Sequence, residues 1–489
     1  MAAELKYYFG IDFGTTNSAT VGYVVMDQKP ECVQYGDDEG RPIPSVVAID
    51  KQSGEVFTGR SAWDRKMELS ETCEYISSVK TILDSEQKKE IAGKEWSVVD
   101  MATEVFRCLK ENVLDRTGIE MKNATVAIPV GFSSDKRSKL RQAAKNAGIN
   151  IISFISEPTA AFFANYNELK SASLAVVFDW GGGTLDVSVL QHTNGRISEL
   201  STVGHSIAGD NIDQKIAERI HAKIARKKGK EISFSDMPSS AQDMMRVRAE
   251  RAKRMLGDDD TATISINNYG DYGACRETLE YDWFADIVAP EIDKAMECLE
   301  KAIHQSGVGL SNIDRIVMVG GSSNLRPLLD KMVNKYGDKL YFPDETMWNV
   351  GQGAAMLAMF PGNYYSSQSI GIVLSNNAYY ELLSPDTPIQ GWHKSCNFGI
   401  VDSSKEARFI FGGSPDIDSL PDRYKTLPVP AYRFLQEQIT LEAAIDSNMV
   451  FTVVAGSNMR PDEFRRLWEY TQLKCYYRLP GKQVSDAER

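Results

Sequence analysis

The sequence has no cluster of residues that could form a disulfide scaffold or a zinc site. Its seven cysteines, Cys32, Cys73, Cys108, Cys275, Cys298, Cys396 and Cys475, include no CxxC pair, and its five histidines do not stand at ligand spacing from them. Reduced, mostly buried thiols are expected instead. No apolar run approaches the about 18 residues that span a bilayer. The opening MAAELKYYFG lacks a charged segment followed by an apolar one, so a cytoplasmic protein with no membrane partner is expected. The NAT sequon at Asn123 then carries no glycan. Basic residues are in deficit, 55 Lys plus Arg against 67 Asp plus Glu, a formal charge of −12. That argues against a nucleic-acid partner, because neutralising phosphates takes clustered Lys and Arg. The one dense basic run, ARKKGK from Ala225 to Lys230, reads as a solvated helix end. GxxxxGK[ST] is missing, which excludes a P-loop, and no well-placed GxGxxG supports a dinucleotide fold or a protein kinase.

What is present is a folded composition, 42% hydrophobic and 25% charged, over 489 residues. Single cores stop growing at about 250–300 residues, so at least two domains are expected. An internal echo organises the first part. YYFGIDFGTTNSATVGYVV, Tyr7 to Val25, runs a β-rich segment into Asp12, one further residue, then Gly14 with Thr15 and Thr16, and out into another β-rich segment. LAVVFDWGGGTLDVSVL, Leu174 to Leu190, repeats this grammar with Asp179, Gly181 to Gly183 and Thr184. Both read as β-hairpins with glycine turns, one at the head of each of two related lobes. Between them ATVAIPVGF, SSDKRSKLRQAAKNAG, INIISFISEP and PTAAFFANYNEL alternate strand and helix, the rhythm of a layered α/β lobe. WNVGQGAAMLAMF, from Trp348 to Phe360, reads as a helix of small residues suited to close packing. Periodicity is lost over PGNYYSSQS, Pro361 to Ser369. Short strand-like runs separated by Asn, Asp, Pro and Gly turns follow, as in a β-sandwich. After Gly456, RPDEFRRLWEYTQLK is the best candidate for a short helix.

One glycine turn merely reverses a chain, but the paired arrangement points further. Glycine followed by threonine exposes N–H groups and hydroxyls to an anion, so DFGTTNS and DWGGGTLD can close on nucleotide phosphates from opposite sides. Asp12 and Asp179 would repel those phosphates unless a cation intervenes, and Mg²⁺ is the natural one.

These segments carry a family resemblance. DFGTTNS, IPVGF followed by Arg137, ISEPTAA, FDWGGGTLDVS, ERAKRML and IVMVGGSS stand in the order and approximate spacing of the Hsp70 chaperone ATPase domain, from about Lys6 to Phe360. The chain thus resembles a member of the actin, hexokinase and Hsp70 superfamily. The resemblance implies an α/β fold: a bilobal actin-like ATPase of two ribonuclease-H-like lobes, followed by a small β-sandwich. It implies ATP and ADP, Mg²⁺ held by Asp12 and Asp179 through water, and K⁺ held directly. By matching position, Gly14, Thr15, Thr16 and Asn17 would cradle phosphates from the first lobe. Gly181, Gly182, Gly183 and Thr184 would do so from the second, with Gly209 of IAGDNID nearby. Lys80 in SSVKTIL takes the place of the catalytic lysine, and Glu157 and Asp186 complete an acidic cluster with Asp12 and Asp179. Glu250, Lys253 and Arg254 would flank adenine and ribose, Gly320, Gly321 and Ser322 would underlie the adenosine, and Pro129 and Arg137 match the interdomain switch.

The departures are specific. The second-lobe motif reads IAGDNID, with Ala208 where the family has glycine and Asp210 as its acid. Asn324 replaces an arginine after GGS, and PDETMWNVGQGAAM carries extra residues. The linker lacks the family's leucines, so docking by that means is doubtful. The expected organisation is a nucleotide domain over 1–362, with lobe I at about 1–170 and 342–362 and lobe II at about 171–341. A polar linker at 363–369, a β-sandwich at 370–458 and a short helical tail at 459–489 complete it. The last 33 residues are too few for the family's helical lid. The expected function is that of a lidless Hsp70-like chaperone ATPase, whose hydrolysis switches a β-domain that binds an unfolded peptide or protein client. A J-domain co-chaperone and a nucleotide-exchange factor are the partners the resemblance implies. The alternatives are a nucleotide-gated scaffold for one dedicated partner, a small-molecule kinase of the same superfamily and a filament-forming actin-like protein.

Overall fold

The computed structural model describes residues 6–26, 29–230, 232–374, 376, 378–399, 405–412, 425–431, 437–460 and 465–479. The sequence echo becomes a structural one. In the first lobe the strand Lys6–Asp12 pairs antiparallel with Asn17–Met26 and parallel with Asn123–Ile128, which pairs in turn with Asn150–Ser156. In the second, Leu174–Trp180 pairs antiparallel with Leu185–Thr193 and parallel with Arg315–Val319. Each hairpin strand is flanked on both sides and reads as a continuous apolar run, as a strand in the middle of a covered sheet must. Ile11, Phe13, Val176, Phe178 and Trp180 are fully or almost fully buried. Asp12 and Asp179 occupy the same place in the two repeats, next to the turn where strand pairing stops.

Local chemistry sets the helix limits. Val98–Thr117 starts on a Ser97/Asp100 capping box and ends at Gly118 in the left-handed region, φ 69°. Gly209–Lys228 ends on Arg226, Lys227 and Lys228, whose charges suit the negative helix terminus. The basic run is therefore a helix end, and Lys227 pairs with Glu277 at 2.6 Å. The small-residue helix Asn349–Leu357 packs as closely as its sequence suggests. A Cβ on Gly353 would lie 1.8 Å from the carbonyl oxygen of Ala160, and one on Gly10 would lie 2.1 Å from the amide nitrogen of Ala355.

The β-rich region is two four-stranded sheets face to face. One orders Tyr379–Leu383, Ile370–Val373, Glu406–Gly412 and Lys425–Pro430; the other orders His393–Gly399, Gln438–Ile445, Phe451–Ser457 and Arg465–Tyr470. Phe411, Leu441, Phe451 and Val453 fill the space between them.

Two expectations fail here. In the stretch expected to be a C-terminal helix, RPDEFRRLWEYTQLK, Arg465–Tyr470 is strand and 471–474 are neither helix nor strand, and Cys475–Arg478 just beyond it is strand as well. Tertiary context decides this. Phe451–Ser457 offers an open edge, and Trp468 reaches the sandwich core, 5.0 Å from the Phe411 ring. Residues 480–489 lie outside the described part. The polar linker is also partly strand, since Tyr364–Ser366 pairs with Cys475–Arg478. The latter pairs with Arg196–His205, so both segments extend the second-lobe sheet. Cys475–Arg478 is inserted between the lobe and the linker, and its Tyr477 is buried in the nucleotide domain's own core. On the other side, the turn after Ile445 reaches the first lobe, where Arg137 Nε donates to the Asn448 carbonyl at 2.7 Å and Arg141 to the Ser447 carbonyl at 2.9 Å.

The seam between lobes contains Glu199, enclosed with the hydroxyls of Ser156 and Thr159. Burial raises its pKa, partly opposed by bonds from those hydroxyls. A carboxyl with a raised folded value contributes stability fully at a pH below its unfolded value of about 4.3 and loses that contribution as pH rises through the folded value. Glu199→Gln, which cannot ionise, is therefore expected to gain melting temperature relative to the wild type between pH 5 and pH 8. A difference in midpoint that does not change with pH would contradict this.

Candidate functional site

The lobes enclose a cleft of about 570 Å³. Its floor is acidic by construction. Strand pairing puts Asp179 directly opposite Asp186, while Asp12 ends the first-lobe strand and Glu157 opens the helix Glu157–Ala164. Lys80 stands among them on a short 3₁₀ turn, Val79–Ile82, after Ser78 in the left-handed region, φ 59°. Its Nζ donates to Glu157 Oε1 at 2.7 Å, and both side chains are 10% exposed.

The electrostatics follow from one buried cation among four carboxyls. Burial and then the Glu157 carboxylate push Asp12 up to about 7, with Lys80 opposing. The same two causes raise Asp186 to about 6, and burial followed by Glu157, Asp12 and Asp186 holds Asp179 well above the usual carboxylate range. Burial alone would depress the Lys80 ammonium, but Glu157 and Asp12 outweigh it and its pKa is raised, so it remains charged.

The two glycine turns face each other at contact distance. A Cβ on Gly182 would lie 2.5 Å from Thr16 Oγ1, and one on Gly183 would lie 2.3 Å from Thr15 Cγ2. Thr16 Oγ1 also donates to Asp210 Oδ2 at 3.2 Å, a bond from one lobe to the other. Around the second-lobe side, Lys253 Nζ lies 2.8 Å from Asp213 Oδ1 and donates to the Gly209 carbonyl at 3.2 Å. Ser322 Oγ donates to the Gly181 carbonyl at 2.9 Å. Gly320 adopts φ 82°, and a Cβ there would come within 2.5 Å of the Trp180 carbonyl, so only glycine fits where this turn crosses the hairpin.

Asp12, Gly14, Thr15, Thr16, Asn17, Lys80, Glu157, Asp179, Gly181, Gly182, Gly183, Thr184 and Asp186 all line this one cleft, with Gly209, Glu250, Lys253, Arg254, Gly320, Gly321 and Ser322 along the rest of its wall. Pro129 and Arg137 do not. Arg137 lies away from the cleft, bonded to the Phe132 carbonyl and to the β-rich domain's turn. Asn324 lines the cleft and donates to Thr346 Oγ1 at 2.9 Å.

Asp213 was not singled out from sequence. It sits one helical turn after Gly209, hence on the same face, and burial pushes it up to about 7 against the pull of Lys253. The four-residue spacing in IAGDNID was the available signal.

Among the described residues, no three Asp, Glu, His or Cys side chains converge tightly enough to ligate an ion directly. The donor set still fits Mg²⁺, a hard cation that keeps several waters and needs only one or two carboxylates beside substrate phosphates. No helix among the described residues is long and apolar enough to cross a membrane.

Filling the contact between the turns should act on ligand binding. Gly182→Val is expected to weaken binding of the nucleotide that the turn motifs predict about tenfold, the effect of roughly 1.4 kcal/mol of overpacking. Calorimetric titration checks it, and unchanged affinity would show that the lobes need not approach this closely.

Residues 83–364, more than half of the chain, match the family described as Hsp70 protein. Among curated proteins the chain is similar to the chaperone protein DnaK of Mycoplasmopsis agalactiae, 26% identical over 366 residues, covering 73% of this chain and 58% of that protein. The chain therefore spans a little over half the length of that relative.

Proposed function

The chain is a member of the Hsp70 family, and on that footing we propose that it binds ATP with Mg²⁺ between its lobes, hydrolyses it, and transmits lobe closure to a β-rich domain holding a peptide or protein client. The observation that carries this reading is the opposed pair of Gly-Thr turns over a floor of four carboxyls and one lysine.

The roles follow from that arrangement. Gly14 and Gly181 spend their own N–H groups on Ser18 Oγ and the Thr184 carbonyl, and the backbone N–H groups of Thr15 and Thr16 and of Gly182 and Gly183 bind the phosphates from two sides. Asp12 and Asp179 would hold Mg²⁺ through water, and K⁺ directly. Bound there, the metal would supply neutralising charge to the phosphates. Lys80, kept protonated by its acidic neighbours, places a positive charge where negative charge grows on the transferring group. Glu157 orients Lys80, and Asp186 and Glu157 offer acceptors that align an attacking water. Glu250, Lys253 and Arg254 form the wall for ribose and base, with a guanidinium plane able to stack. Arg137, bonded to the turn of the β-rich domain, and Pro129 pass lobe position to that domain. A J-domain protein and an exchange factor would set the timing.

Mg²⁺-dependent release of phosphate from ATP by the purified chain tests the chemistry, and its failure would overturn this reading. Peptide affinity measured with ATP and with ADP tests the coupling, and equal affinities would leave two domains that merely share a chain. A second reading, a scaffold gated by nucleotide for one dedicated partner, is favoured by the clamp on the β-rich domain. That domain is held to the lobes by strand pairing at 364–366 and 475–478 and by Arg137 and Arg141. A panel of apolar heptapeptides separates the two, since a general chaperone binds many and a scaffold few or none.

A further inference from the structure

Ser156 and Glu157 are held from three directions. Glu157 itself reaches into the cleft to Lys80. The hydroxyl of Ser156 bonds to Glu199 of the second lobe. The backbone N–H of Ser156 donates at 3.1 Å to the hydroxyl of Tyr364, which belongs to neither lobe's own sequence but to the strand Tyr364–Ser366.

Tyr364 is seated by the chain's end. It pairs in register with Tyr477, whose ring meets it edge-on at 5.3 Å. Tyr477 is only 3% exposed and donates through its hydroxyl to the Phe360 carbonyl at 3.2 Å. Ser156 closes a strand and caps the helix that Glu157 opens, and its N–H finds a partner in the Tyr364 hydroxyl. A shift of Tyr364 therefore acts on the backbone from which Glu157 extends, one residue from the buried ion pair.

We propose that Tyr364 is a positioning residue for the cleft: through the Ser156 N–H it holds the backbone that aims Glu157 at Lys80. The geometry of the reacting centre then depends on a strand pairing made by residues 475–478. This rests on the ATPase reading given above. It makes the C-terminal strand part of the nucleotide site's support, although the strand lies more than a hundred residues beyond the last cleft motif.

The test uses the full chain. Tyr364→Phe keeps the ring against Tyr477 and removes the hydroxyl that accepts from the Ser156 N–H. Its kcat for ATP hydrolysis is expected to fall about fivefold, the size of one net hydrogen bond, with nucleotide affinity unchanged. The amide of Ser156 should lose protection from hydrogen exchange in the same variant. In a Glu157→Gln background Tyr364→Phe should bring no further fall, because a residue acting through Glu157 has nothing left to act on. Tyr477→Phe, which keeps its ring in place, should retain wild-type kcat. Wild-type kcat in Tyr364→Phe, or the same fractional loss in the Glu157→Gln background, would overturn the inference while leaving the ATPase reading intact. Absence of any hydrolysis by the wild type would overturn both.

Discussion

Lys80→Ala is expected to lower ATP turnover by at least about a hundredfold, the scale of removing one preorganised charge from a transition-state site. Among the described residues, Lys80 is the one cation that the floor of the cleft presents to Asp12, Glu157, Asp179 and Asp186. Its loss removes the charge proposed to face the phosphoryl group and leaves Glu157 without its partner in a largely buried site. Breaking a buried pair at one end typically costs about 3–5 kcal/mol, so the variant should also melt lower. Lys80→Met with Glu157→Gln separates the effects, because an apolar chain beside a neutral amide restores much of the stability without restoring the charge. Turnover assayed at saturating ATP and Mg²⁺ checks the prediction, and a Lys80→Ala protein that hydrolyses at the wild-type rate would remove Lys80 from the mechanism. Alanine at Asp179 or Thr184 is expected to abolish turnover in the same assay.

Tyr477→Ala is the second large effect. Tyr477 lies among Phe162, Leu190 and Ile197 in the core shared by the two lobes, and its strand covers the edge of Arg196–His205. Truncating a fully packed aromatic leaves a cavity that costs about 3–5 kcal/mol. The loss should fall on the nucleotide domain, identifiable as the melting transition that shifts with ATP. Trp468→Ala, whose ring fills the β-sandwich core, should lower the other transition instead. If Tyr477→Ala left the ATP-sensitive transition unmoved, the C-terminal strand would be an ornament on the sheet edge and the clamp would fail with it.

Much of the cleft was legible in the sequence because phosphate binding demands particular residues at short range. Asp-x-Gly with Thr close behind, twice over, can be read in two stretches of chain, and each hairpin forms by local pairing. IAGDNID and ERAKRML lie on helices whose periodicity points one face toward one place. The limits of the basic run and of the small-residue helix were legible for the same local reasons, caps and side-chain size. Glu199, Tyr364 and Asp213 were harder. A Glu among β-formers or a Tyr in a polar linker looks like surface until an enclosing partner is known.

The sequence by itself determined the paired hairpins, the acidic turns and the family to which they belong, because those features rest on contacts between residues close in the chain or on motifs few other folds use. Only the tertiary structure decided where the last strands go. Leu467, Trp468, Tyr476 and Tyr477 suit a helix face or a strand, and propensity alone cannot choose between them. The choice fell to the open edges of two sheets, one at Phe451–Ser457 just upstream and one at Arg196–His205, far earlier in the chain. An unpaired edge offers a row of N–H and C=O groups together with a place to bury aromatic rings, and a fifteen-residue helix lying in solvent offers neither.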